Sequence, residues 1–439
     1  MNNRYQYLDQ QLTQVDGHAP AAKIAKHVKM ATSPFVFYRG TSQLFYADVK
    51  SGVLALPKAF DSVQHTAIMG DCHISNFGFL TEEGSHGDNV IFAPNDFDDA
   101  CIGPAVWDVS RYAISLLLAT SYGQKVVTGE VASEEKFIGK LAASELQAVK
   151  AINAFFASYT SMCEQSINSA KATGIAIEGF DEGHILYKPY QKALRRSAGG
   201  VDFETKSRLA KAVDWSESNI RFKQDPEKFQ PLDPELYQEI AETFAPYVDD
   251  EILDITARLG SGTGSLNLSR FYLLVGPKNF NAASDLALCH IVEVKQQRKA
   301  APLYHYQGLS AVNRLNPAHL TIQCQRRMQR NPDLVLDEVL WRNAYWLTRS
   351  RHHAKVGIDP EDIVIGKKAV NKGGIEQYAK ACGKALALAH CRGDRRSSRF
   401  EQSMVEAMNG AADDLLKVCL DYAEQVKEDT RHLRKLMQG

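Results

Sequence analysis

Within IMGDCHISNFGF, residues 68–79, an aspartate, a histidine and an asparagine fall inside six positions between apolar flanks. Asp71 offers a carboxylate that can take or orient the proton of an attacking hydroxyl. Asn76, five residues on, offers an amide oxygen that can hold a divalent cation, and His73 sits between them. A second group follows in NVIFAPNDFDDA, residues 89–100, where Asp96, Asp98 and Asp99 close an apolar stretch that reads as a strand. Carboxylates at the end of one strand, beside a carboxylate loop at the end of another, supply the oxygens Mg²⁺ prefers when it neutralises phosphates. Asp and Asn also favour turns on their own account, so each residue alone reads as a cap. Together, at this spacing, they read as a site.

A third group lies far downstream. LGSGTGSLNLSRFYLLV, residues 259–275, is a glycine-rich turn between two strand-like runs, with Gly260, Gly262 and Gly264 flanked by hydroxyls. Such a turn lets backbone N–H groups come close to phosphates. No Gly-Lys-Ser/Thr follows and no helix opens after it, so it is neither a Walker loop nor a dinucleotide fingerprint. Alone it is a plain hairpin. The next apolar run, HIVEVKQQ, carries Lys295 two residues after Glu293. A lysine on the strand after a glycine hairpin can reach the α- and β-phosphates of a nucleotide.

The elements that must position these residues divide the chain by texture. Strand-like HTAIMGD (65–71), the helical spacing of 105–123 and an amphipathic stretch over 132–165 predict a larger, mostly helical lobe over 1–250 that holds the catalytic and metal loops. The polar segment 166–230 reads as an insertion or linker, and 233–250 as a helix opened by aspartate and proline. Residues 251–350 form the expected nucleotide-binding, β-rich small lobe: β-formers and turn residues over 252–276 and 285–297 predict a small antiparallel sheet, and 335–351 returns to a mixed and helical pattern. Residues 351–439 read as a hinge and helices returning to the larger lobe, ending in one long charged helix over 402–437. The class is therefore α+β.

Length, composition and charge leave room for this. The 439 residues allow two or three domains of ~100–200 residues each, with 44% hydrophobic residues to build a core. A formal net charge of −1 gives no global reason to expect nucleic acid. The longest apolar run, AISLLLAT, is far short of the ~20 residues a membrane span needs, so no membrane partner is expected. MNNRYQYLDQQLTQVDGHAP has no apolar signal region, and the eight cysteines are scattered without a CxxC pair. Free thiols in a reducing cytoplasm are the expectation.

In a protein kinase the glycine loop and strand lysine come first, and the catalytic and metal loops follow. Here the order is reversed, and the helix YAKACGKALALAHCRGD (378–394) resembles the one preceding the catalytic loop in aminoglycoside and choline kinases. Reading 251–394 and then 30–165 restores the kinase order, as a circular permutation would. SPFVFYRGT, GDCHISNFG, NDFDDACIGPAVWDVSRYAIS, GSGTGS, VEVKQ and ACGKALALAH together resemble the bacterial domain of unknown function 2252 family, itself similar to the kinase-like superfamily. The resemblance runs over roughly 30–120 and 250–395. It implies a permuted, kinase-like bilobal fold with ATP and Mg²⁺ as cofactors, and it implies no particular acceptor.

Carried over residue by residue, the resemblance makes Asp71 the catalytic base or hydroxyl-orienting carboxylate and His73 the residue that orders its loop. Asn76 and Asp96 become metal ligands, with Asp98 assisting. Lys295 would hold phosphates under Gly260, Gly262 and Gly264. Arg39, in FYRGT, becomes a further phosphate or substrate contact, with a buried ion pair as the equal alternative. Asp108 and Arg111 are expected to pair with each other at i, i+3.

One departure stands out. From Gln296 through Pro332 there is no acidic residue, so Lys295 lacks the helix glutamate a kinase supplies. Glu293, on the same strand face, or a neutral Gln325 could substitute, or the partner comes from elsewhere in the chain. Phosphoryl transfer to a small-molecule or protein hydroxyl leads. Nucleotidyl (AMP) transfer from the same site is the alternative, and a pseudokinase-like module docking partners through the basic stretch 296–330 is the non-catalytic one. GDCH also resembles a piece of the dinuclear metallophosphoesterases, but the further histidine motifs of that class are missing here. The oligomeric state stays open.

Overall fold

The two acidic loops hang from short antiparallel strands. The computed structural model describes residues 2–82, 87, 89–216, 219–260, 268–281, 285–394 and 397–438. Strand β1 (Thr66–Ile68) leads into the Asp71 loop, and β2 (Phe77–Thr81) leaves it. β3 (Val90–Pro94) runs into the Asp96 loop, and β4 (Cys101–Gly103) leaves that. β1 pairs with β4 and β2 with β3, so both loops emerge side by side. The two-residue strand Val356–Gly357 covers the free edge of β2. Every residue of β2 and β3 is buried, which is why FGFLT and VIFAP are apolar without alternation.

Among the described residues, four long helices pack around these strands. Ala105–Val127 follows Pro104 directly and is buried over most of its length. Glu145–Asn168 opens on a reciprocal Ser144–Gln147 cap and packs against Gly374–Gly393. The contact is backbone-close: a β-carbon on Gly383 would stand 2.4 Å from the Phe155 carbonyl oxygen. Arg399–Leu436 kinks at Ala411, where φ is −143°, one residue after Gly410. The first helix, Asn2–Asp16, lies along it, with Arg4 Nε 2.9 Å from Asp429 Oδ1 and the Tyr5 and His432 rings 5.7 Å apart.

The β-rich part starts earlier in the chain than position 250. β5 (Val213–Ser216) and β6 (Asn219–Phe222) form a hairpin, and β7 (Phe229–Gln230) joins the edge of the large sheet. β8 (Glu251–Arg258), β9 (Arg270–Gly276), β10 (His290–Gln296), β11 (Leu336–Trp341) and β12 (Ala344–Arg351) complete it, in the order β11-β12-β10-β9-β8-β7. Leu209, Phe222 and Phe229 pack on one face with Tyr272 and Leu274. The helix Pro234–Phe244 packs Ile240 and Phe244 on the other, against Leu273, Val275 and Val294. The later part of the predicted insertion and the predicted 233–250 helix are thus the two covers this sheet requires. Both are amphipathic only toward a sheet that follows them in the chain, which is why the sequence alone detached them. Arg342 and Asn343 take φ of 49° and 57°, the paired left-handed turn that tightens the β11–β12 hairpin.

The molecule is mixed α+β with antiparallel sheets, as expected. Among the described residues no helix is long and apolar enough to cross a membrane.

Candidate active site

Gly70 starts the Asp71 loop at φ +75°, and a β-carbon there would stand 1.9 Å from the Asp99 carbonyl oxygen. Glycine is what lets the two acidic loops touch. Asp108, on the helix Ala105–Val127, accepts the Met69 N–H at 2.6 Å and the Gly70 N–H at 3.1 Å. It also faces His390 Nε2 at 3.1 Å, and His390 Nδ1 meets the Tyr159 hydroxyl at 2.7 Å. The helix carrying ALALAH therefore holds the loop through a histidine and an aspartate, both fully buried. Ser115 accepts the Ile74 N–H at 3.0 Å, and Tyr378 donates to the Ile74 carbonyl at 2.5 Å. The expected Asp108–Arg111 pair does not form, because both side chains turn to the loop instead.

Arg111 donates through Nη2 to Asp71 Oδ1. Its guanidinium is fully buried, 4.6 Å and 4.9 Å from the Tyr38 and Phe45 ring centres. The Asp71 side chain stays 22% exposed, enough to meet a substrate. Burial pushes its carboxyl up to about 6, while Arg111 pulls the other way. Asn76 donates its amide to the Asp71 carbonyl at 2.8 Å, and its side-chain oxygen takes no hydrogen bond from any described residue. His73 Nδ1 accepts the Ser75 N–H at 3.2 Å, capping the short turn Ile74–Asn76, while Arg39 Nε faces Nε2 at 3.4 Å. Burial, then Arg39 and Arg111, holds this imidazole well below its usual value, so it is neutral. That geometry suits loop ordering and leaves no ring nitrogen for a metal.

Lys295 reaches across from β10 to Asp98 Oδ2. Neither expected partner serves it. Gln325 bonds Gln329 and Asp333, and Glu293 lies among Arg270, Arg349 and Arg351 at 2.8–3.2 Å. Burial works against the charge on Asp98, but Lys295 and Arg349 more than offset it and hold its carboxyl well below the usual range. Burial and the Asp98 charge push Asp96 the other way. Asp98 Oδ1 is buried without a hydrogen-bond partner among the described residues. Asp99, grouped with these two in the sequence, instead grips Arg298 at 2.8 and 2.9 Å and the Ala301 N–H at 2.8 Å. It ties the Asp96–Asp98 loop to the chain leaving β10. Arg330, in the same basic stretch, is held by Glu82 and Glu178. Much of that stretch is therefore spent inside the molecule rather than on a docking face.

All of this opens on one cavity of about 550 Å³. Asp71, His73, Asn76, Asp96, Asp98, Lys295 and Arg39 line it together, though they come from chain segments more than 200 positions apart. Gly260 does not line it, and it takes φ +65°; Leu268, at the far end of that turn, does line it. Gly262 and Gly264 lie outside the described residues. Eight cationic side chains face six carboxylates among the described lining residues. In a chain of net charge −1 this is a local positive excess, suited to a polyanion.

Sequence reasoning missed Arg111, Arg270, Arg349, Arg351 and Lys355. The alternation of Arg349 and Arg351 on one strand face, opposite Glu293 in register, was the available signal. Lys355 lines the cavity near the carbonyl of Asn95, at 3.5 Å, and burial with Arg349 and Arg351 beside it pushes its ammonium down to about 8. Among the described residues no three His, Cys, Asp or Glu side chains are grouped to hold a metal, as the dinuclear hydrolase reading would require.

A family model described as an uncharacterized protein conserved in bacteria (DUF2252) matches residues 18–436. No curated protein and no solved structure matches the chain.

Proposed function

The chain belongs to that DUF2252 family, and we propose that it is an ATP- and Mg²⁺-dependent transferase with a permuted, kinase-like two-lobed architecture, moving a phosphoryl group to a hydroxyl. One observation carries the reading: Asp71, Asn76, Asp96, Asp98 and Lys295 share a single cavity with a positive excess. The residues fit the absent groups. The buried, unpartnered Asp98 Oδ1, the Asn76 side-chain oxygen and the Asp96 carboxylate form an oxygen donor set of the kind Mg²⁺ takes, completed by phosphate oxygens and water. The metal would supply neutralisation of phosphate charge. Lys295 and Lys355 would meet the phosphates.

Asp71 does the protein's share of the proton work. Its exposed edge orients the acceptor hydroxyl and takes its proton, while Arg111 fixes the carboxylate from behind. Asp108, Ser115 and Tyr378 hold the loop still, so the reacting groups meet at a fixed geometry. Eight buried, unpaired cysteines fit a reducing compartment such as the cytoplasm.

The Lys295–Asp98 pair departs from the lysine–glutamate pair of kinases and favours nucleotidyl transfer as the second reading. Product analysis separates them, as ADP release marks phosphoryl transfer and pyrophosphate release marks AMP transfer. The test is calorimetric titration of ATP with Mg²⁺ into the wild type and into Asp96→Ala and Lys295→Ala. Micromolar, Mg²⁺-dependent binding weakened by both substitutions is expected. A folded wild type that binds nothing would end both readings.

A further inference from the structure

Among the described residues, Arg39 is a cation near Asp71 whose charge no carboxylate answers directly. It lines the cavity, and burial pulls its guanidinium below the usual value. Among the described residues no carboxylate lies within ion-pair distance of it. Its polar contact is the neutral imidazole of His73 at 3.4 Å, and its apolar one the Phe35 ring at 5.6 Å. Asp71, Asp96, Glu361 and Asp359 attract it from farther off, but none is within ion-pair distance and Asp71 is bound to Arg111. Partly buried, open to the cavity and without a carboxylate at ion-pair distance, the guanidinium is free to receive an anion that arrives.

A second feature points the same way. The ten-residue helix Ser42–Ser51 begins two residues after Gly40, and Gly40, Ser42 and Gln43 line the cavity beside Arg39. The first N–H groups of a helix have no partner within it and favour an anion. Lys295, by contrast, is bound to Asp98 on the second acidic loop, while Arg39 contacts His73 on the Asp71 loop. The anion seat is therefore assigned to the Asp71 loop, where Arg39 stands.

We infer that Arg39 and the first turn of Ser42–Ser51 hold an oxyanion carried by the acceptor, so that the transferase takes an anionic alcohol, one bearing a phosphate or carboxylate besides its reacting hydroxyl. This rests on the transferase reading for the word acceptor, and on Arg39 alone for the anion. A neutral alcohol would leave the guanidinium unanswered and would bind weakly.

Inorganic phosphate is the probe, titrated by calorimetry into the full chain with and without a saturating non-hydrolysable ATP analogue and Mg²⁺. Glycerate and glycerol serve as the carboxylate and neutral comparisons. Phosphate and glycerate are expected to bind whether or not the analogue is present, and glycerol to bind at least tenfold more weakly. Arg39→Gln should weaken phosphate at least tenfold, and Arg39→Lys, which keeps the charge, should recover part of it. Circular dichroism confirms that both variants are folded. Unchanged binding in folded Arg39→Gln, or no phosphate binding by the wild type, overturns the seat. Loss of phosphate binding when the analogue is present also overturns it, since Arg39 would then hold the donor's own phosphate. Failure of the analogue to bind counts against the transferase reading alone, because the phosphate titration still decides the Arg39 seat.

Discussion

Asp71 carries two opposed influences, and its chemistry follows from their balance. Burial lifts its carboxyl to about 6 and Arg111 draws it down, so it is ionised at neutral pH yet basic enough to accept a proton. Turnover should rise with pH through about 6 and then level, because the active form is the carboxylate. Asp71→Asn keeps an oxygen for Arg111 and should fold and bind nucleotide normally, while turnover falls about 10²- to 10⁴-fold. Equal loss of nucleotide affinity would move Asp71 from proton transfer to binding. The polar residues readable in sequence were those in the loops that follow strands: Asp71, Asn76, Asp96 and Asp98. Arg111 was legible as a residue but not as a partner. Helical spacing pointed it at Asp108, and only the loop folding back over the helix brings Asp71 to it. Lys355 carried no signal, since its depressed ammonium arises from burial and from Arg349 and Arg351 on a strand that ends before it.

At the level of elements, the site depends on two loops leaving adjacent strand pairs and on the helices that hold them. Gly70 is where this is most sensitive. Its positive φ and its closeness to the Asp99 carbonyl leave no room for a side chain. Gly70→Ala should cost about 3 kcal/mol or more through strain and displacement together, read as a lowered denaturation midpoint. A variant of wild-type stability would mean that the loops can separate without penalty. Strands β1 and β3 and the helix Ala105–Val127 were legible, because buried apolar runs and helical periodicity are local properties, while β2 and β4 went unread. The covers of the large sheet were not. The segment 203–222 and the helix Pro234–Phe244 bury residues against strands that come later in the chain, so their pattern lacks its partner until the fold is known. β11 and β12 were blurred in the same way, since Arg349 and Arg351 face Glu293 rather than water.

Across the whole molecule, the first and last helices lie side by side, joined by Arg4 to Asp429 and by Tyr5 against His432. A reordered chain, with residue 438 linked to residue 2 by a short flexible peptide and opened at the exposed Asp250, should fold and keep its ligand affinity. Such a chain would run in the order in which kinases present these parts. A reordered chain that folds but loses affinity would show that strand β8 needs its connection to the preceding helix.

All eight cysteines are buried and none is bridged. Burial also pushes the thiols of Cys72, Cys101, Cys324 and Cys382 above their usual range, so little thiolate is present to react. Cys289 belongs to the cluster on the large sheet, while the other seven lie in the helical core. The chain thereby carries its own clock for opening. Under a gentle alkylating reagent, native protein should stay almost unlabelled, and each mass increment would time the breathing of one region. Labelling at Cys289 ahead of the rest would report the sheet loosening before the helices, and simultaneous labelling of all eight would report that the molecule opens as one.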